Sequence, residues 1–183
     1  MTEPASDTQS PAPQPTKTAE GRVRQHLRAG WIALLIFVTL GTVLEALHAF
    51  KSAQYLGVGN EIRRLMWTLA HAHGIGLGLL HIAFAATLQL LGARVEASDR
   101  MAMASRLLTV ATVLLPGGFF IGGIVTYGGD PGVGVLLVPI GALALWLAIL
   151  LVGMTTVERE PAADARGQGS SAAHTSSAGD SQS

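Results

Sequence analysis

The sequence predicts an all-α polytopic membrane protein, an antiparallel bundle of four transmembrane helices between two disordered tails. Three observations predict it. Of the 183 residues, 49% are hydrophobic and only 13% charged. The apolar residues gather in four blocks, 31–50, 65–91, 107–127 and 133–154. Each is about 20 residues or longer, enough at a rise of about 1.5 Å per residue to cross a hydrocarbon layer of about 30 Å. Both ends are rich in Pro, Ser, Ala, Thr and Gly and have few large apolar side chains to offset the entropy of ordering. The expected organisation is a disordered cytoplasmic tail over 1–28, a transmembrane domain over 29–156 and a second disordered cytoplasmic tail over 157–183.

The formal net charge is zero, so no strongly basic face points to nucleic acid. There is no cysteine, which excludes disulfides, thiolate metal ligands and cysteine nucleophiles. Neither G-x-x-x-x-G-K nor H-E-x-x-H occurs, so phosphate-loop and zinc-protease chemistry are absent too. The polar stretch before Trp31 is longer than the leading region of a signal peptide, and the first block is expected to be retained. Arg22, Arg24 and Arg28 precede the first block, Arg94, Arg100 and Arg106 join the second to the third, and Arg159 follows the fourth. Lys51, Arg63 and Arg64 lie on the other side. By the positive-inside rule both termini face the cytoplasm.

Each block has its own signals. The first opens at Trp31, an interfacial aromatic residue, and closes near Phe50. Asn60 is placed to cap the second. Gly74 and Gly78 in the second, and Gly118 and Gly122 in the third, form G-x-x-x-G pairs that let helix backbones meet closely. Pro116 and Pro139 lie inside the third and fourth, where membrane helices tolerate proline. Between these last two blocks, Asp130-Pro131-Gly132 has turn chemistry that reverses the chain. Lipid and a second copy or a membrane-complex subunit are the expected partners, because so small a bundle has little interior of its own.

Ionisable residues locate the chemistry. The third and fourth blocks hold no Asp, Glu, Lys, Arg or His, whereas the first two hold Glu45, His48, His71, His73 and His81. Glu45 and His48 share a helix face by their spacing. His71 and His73 lie about 160° apart on a helical wheel, so the pair is no chelate. A short link brings Glu45 near the level of His71, with His48 within reach of Arg63 or Arg64. Three readings stand for this cluster. In the first, Glu45, Arg63, Arg64, His71, His73 and His81 form a helix-pairing network, since an intramembrane charge is costly unless paired. In the second, His48 and His71 bind haem or, with Glu45, a divalent metal. In the third, Glu45, His71 and His81 mark a proton-linked path for a small solute. His26 and His174 fall outside the blocks and receive no role.

The runs "LEALHAFKSAQYL" and "NEIRRLMWTLAHAHG", with "GGFFIGG" and "GDPG" later, resemble small bacterial four-helix membrane proteins of unassigned function. The resemblance covers Trp31 to Met154 and implies the same four-span layout. "AHAHG", from Ala70 to Gly74, is distantly similar to a helix of hydroxylaminobenzene mutase, which implies a membrane enzyme of the mutase or oxidoreductase kind. Paired histidines on transmembrane helices also resemble four-helix cytochromes of the b561 type, from which only the pair His48 and His71 carries over.

Overall fold

The computed structural model describes residues 17–92 and 98–157. They form α1 (Lys17–Ala49), a one-turn α2 (Ala53–Leu56), α3 (Glu61–Leu91), α4 (Asp99–Ile124), a 3-10 turn (Val133–Leu136) and α5 (Leu137–Val157). The segments Glu20–Ala49, Glu61–Leu91, Asp99–Ile124 and Val133–Thr156 are each long and apolar enough to cross a membrane. Of the expected tails, 1–16 and 158–183 lie outside the described residues, as does the 93–97 link with Arg94.

The first helix starts well before the expected boundary at residue 29. Val23, His26, Gly30, Ala33, Phe37, Gly41 and Leu44 recur at steps of three and four, which on a 3.6-residue helix makes one continuous stripe. Val23, His26, Gly30, Ala33 and Leu44 are buried, so burial carries the helix back through the polar segment that composition alone assigns to a tail. A similar extension begins α4 at Asp99. The Ser98 hydroxyl accepts from the Met101 amide at 3.3 Å, and Asp99 stands in the first turn, where a negative charge suits the helix dipole.

Each long helix packs on its neighbours in sequence, α1 on α3, α3 on α4 and α4 on α5. Contacts between α1 and α3 run from His26 with His81, through Gly30 and Leu34 with Gly78 and Phe37 with Gly74, to Gly41 with His71. Glycine is required along this line. A methyl group on Gly74 would overlap the Phe37 ring, and one on Gly41 would overlap the His71 imidazole. The expected G-x-x-x-G contact in α4 also forms, with Gly118 and Gly122 lying against the backbone of the 3-10 turn. Pro116 is buried within α4, which continues through it, and Gly141 of α5 sits on the Leu115 backbone alongside. Leu77, Phe84, Leu88, Met101, Leu108, Ala111, Leu115, Ala144 and Ala148 form the core between α3, α4 and α5.

The reversal between α4 and the 3-10 turn differs from the one expected at Asp130-Pro131-Gly132. Tyr127 and Asp130 exchange backbone hydrogen bonds at 3.0 and 2.8 Å around Gly128 and Gly129, whose φ angles are 57° and 98°. Two consecutive positive φ angles suit a tight hairpin turn and favour glycine at both positions. Asp130-Pro131-Gly132 instead leads the chain back to α4, where the Gly132 amide donates to the Gly122 carbonyl at 2.8 Å.

The α1–α3 contact generates a paired prediction. An alanine methyl at Gly30 falls 2.7 Å from Ile82 Cγ1 and 2.8 Å from the Gly78 carbonyl oxygen, whereas one at Gly76 meets nothing within 4 Å. Gly30→Ala is expected to cost about 1–3 kcal/mol, and Gly76→Ala to change stability by no more than about 0.5 kcal/mol. Thermal unfolding of the two variants in detergent checks the contrast.

Candidate functional site

Two polar groups of side chains occupy opposite ends of the α1–α3 contact. At the end near α2, a pocket of about 470 Å³ opens between α1, α2 and α3. Glu45 and His48 line it from α1, Tyr55 from α2, and Thr68 and His71 from α3. The structure thus places all of Glu45, His48 and His71 on one pocket. The His71 Nδ1–H donates to the Phe37 carbonyl at 2.6 Å, beside the missing side chain of Gly41. In the neutral ring this bond selects the tautomer with the hydrogen on Nδ1. Glu45 is exposed, and no described side chain pairs with its carboxylate. The expected pairing of Glu45 with His71 or an arginine is therefore absent among the described residues.

Arg63 shows where one arginine went instead. Its Nε donates to the Gly123 carbonyl at 3.1 Å and its Nη2 to the Ile124 carbonyl at 3.4 Å, at the end of α4. Its Nη1 reaches the Gln54 carbonyl and Asn60 Oδ1, both at 3.1 Å, and its guanidinium stands 5.8 Å from the centre of the Trp67 ring. A cation on the last carbonyls of a helix meets orphan acceptors and the negative end of the dipole. Trp67 adds an Nε1–H bond to the Phe120 carbonyl at 3.2 Å, and its ring lies between those of Tyr55 and Phe120. Asn60 precedes α3 as expected, but its side chain makes no cap. It donates to the Ala53 carbonyl at 3.1 Å and so holds α2.

Among the described residues no group of three or more His, Asp or Glu side chains is arranged to hold a metal ion. Glu45, His48 and His71 share walls without converging on a point. His73 points elsewhere, as the helical wheel requires. Its Nδ1–H donates to its own Leu69 carbonyl at 2.8 Å, and its ring packs 5.0 Å from Phe119 of α4.

At the other end of the contact His81 meets His26, the residue that sequence reasoning left without a role. His26 and His81 are almost wholly buried, at 0% and 1% exposure, and their Nδ1 atoms are 2.6 Å apart. His26 Nε2 is 2.7 Å from Ser105 Oγ, and His81 Nε2 is 2.9 Å from Thr112 Oγ1. The rings stack at 4.8 Å, with Phe84 edge-on to His26. This chain joins α1, α3 and α4. The spacing of three and four residues from Val23 through His26 to Gly30 and Ala33 is the sequence signal that places His26 on the packed face.

No family model, curated protein or solved structure matches the chain. Any function therefore has to come from the geometry of these side chains.

The two histidines of α3 differ in what their loss removes. His81→Ala opens a cavity and strips His26 of its buried partner, and is expected to cost about 2–5 kcal/mol. His73→Ala removes a bond within one helix and a ring contact, and is expected to cost about 1 kcal/mol or less. Chemical or thermal unfolding of the purified variants separates the two.

Proposed function

We propose that this chain is an integral membrane protein that crosses a bacterial inner membrane four times as an antiparallel bundle, both termini cytoplasmic, and binds a small organic cation between α1, α2 and α3. Large apolar side chains on the outer faces support the membrane setting. Trp31, Leu35, Leu143 and Trp146 are each more than half exposed and suit contact with lipid. The order of contacts, early α1 with late α3, fits helices that run in opposite directions. The excess of Arg22, Arg24, Arg28, Arg94, Arg100, Arg106 and Arg159 over Lys51, Arg63 and Arg64 supports the orientation.

One observation carries the ligand reading: the unpaired Glu45 carboxylate on a pocket whose volume suits a small molecule. A carboxylate at the edge of an apolar helix favours a cation that neutralises it. Tyr55, Thr68 and His71 add polar side chains to the same lining. The pocket favours an organic cation over a bare metal ion because three metal-binding side chains do not converge there. A proton path along Glu45, His71 and His81 is less well supported. Phe37 against Gly74 and Leu34 against Gly78 occupy the contact between His71 and His81. The helix-pairing reading has support at Arg63, His71 and His81, which bond to other helices, though Glu45 takes no part.

Two experiments test these readings. Because the chain has no cysteine, single-cysteine variants are directly informative. Val58→Cys and Asp130→Cys are expected to react with a membrane-impermeant maleimide added outside intact spheroplasts, and Arg24→Cys only after lysis. The reverse pattern overturns the orientation. For the pocket, n-butylammonium is expected to raise the Tm of the detergent-purified protein by several degrees near saturation, since ligand at about 100 times Kd stabilises by about 2.7 kcal/mol. The neutral isostere n-butanol should leave it unmoved, and Glu45→Gln should lose the response. An equal shift in wild type and Glu45→Gln overturns the assignment.

A further inference from the structure

We propose that His26 and His81 form a buried site for one proton, taken up through the Ser105 hydroxyl and shared between the two Nδ1 atoms. This site is independent of the pocket at Glu45. The bond directions follow from the hydroxyl at the far end. Thr112 Oγ1 lies 2.8 Å from the Leu108 carbonyl, which can only accept, so the Thr112 hydroxyl donates its hydrogen there. It must then accept from His81 Nε2–H at 2.9 Å. With Nε2 protonated, neutral His81 offers an Nδ1 lone pair, which fixes His26 Nδ1–H as the donor across the 2.6 Å gap. Neutral His26 in turn has a lone pair on Nε2, which accepts from the Ser105 hydroxyl at 2.7 Å. Every polar hydrogen of the group points one way, from Ser105 to Leu108.

Only one place in this chain can take a proton, His26 Nε2. The Ser105 hydroxyl rotates so that its oxygen accepts from the new Nε2–H while its own hydrogen turns to a carbonyl of the preceding helical turn, as serines in helices commonly do. The transfer is a relay: the serine hydrogen passes to Nε2 as a hydronium ion gives the serine oxygen a new one, so the old serine O–H and one hydronium O–H break, a new serine O–H and the Nε2–H form, and water leaves. His26 then carries hydrogens on both ring nitrogens, and the Nδ1 proton can lie on either side of the short bond to His81. A second proton is excluded by geometry, because it would set N–H against N–H at 2.6 Å.

The surroundings contain few competing charges. On α1, Arg22 stands one turn before His26 and acts on it electrostatically. On α3, Phe84 is the ring beside His26, and His73 is turned towards Phe119. From α4 come the hydroxyls of Ser105 and Thr112, while Asp99, Arg100 and Arg106 are exposed. The whole of α5 has no titratable side chain. The pair is thus the only buried titratable group among the described residues at this three-helix junction.

The test is nitrogen NMR on the full chain, labelled at its six histidines, in detergent or lipid nanodiscs. Substitution of His48, His73 and His174 by Gln simplifies the spectrum while keeping the His71 bond to Phe37, and a separate His71→Gln variant assigns the one remaining ring. At neutral pH a through-hydrogen-bond coupling between the two Nδ1 atoms is expected, with both Nε2 atoms in the states derived above. On acidification the two rings should titrate together at one midpoint, with a total uptake of one proton per chain. Ser105→Ala should lower that midpoint by about one pH unit, since a charged N–H loses more with its acceptor than a neutral ring loses with its donor. Two separate midpoints, uptake of two protons, or no titration before circular dichroism shows loss of the fold would each overturn the proposal.

Discussion

Contact between the backbones of α1 and α3 is the constraint on which the remaining structure depends. Gly30 lies against the Gly78 carbonyl, Phe37 fills the place of a side chain at Gly74, and the His71 ring fills the place of one at Gly41. Helices brought this close gain dispersion contacts along the line where they meet. The same approach makes both polar groups possible. At one end it brings His26 and His81 within hydrogen-bond distance. At the other, α2 intervenes and the helices leave room for the pocket at Glu45.

Hydrogen bonding within the bundle follows a division of labour. Thr39, Thr42, Thr87, Thr109, Thr112 and Thr155 each donate to the carbonyl four residues earlier, so their hydroxyls need no partner on another helix. Bonds between helices come from a few larger groups. Arg63 and Trp67 secure the end of α4, and His71 grips the α1 backbone at Phe37. The imidazole pair joins three helices near the opposite end. Glu45 stands apart from all of them, with no side-chain partner among the described residues.

Much of the layout was legible in the residues. The apolar blocks foretold four long helices, and the glycine pairs foretold where backbones would meet. The divergence of His71 and His73 followed from helical geometry alone. Composition misled at residues 17–28, because a polar segment was read as a tail when its three-four spacing continued the packed stripe of α1. Arg63 was placed in a helix-pairing network, but its partners, the open carbonyls ending α4, are invisible in a linear string.

By itself, then, the sequence determined the all-helical class, the number of long apolar segments and the faces on which small residues gather. Those properties depend on composition and on a period of 3.6 residues, both of which are local. Only the tertiary structure decided which polar groups find one another. His26 and His81 are 55 positions apart, and His26 and Ser105 are 79 apart. Their contact depends on how far each helix slides along its neighbour, and that register is set by packing at Gly30, Gly74 and Gly78 rather than by any motif around the histidines.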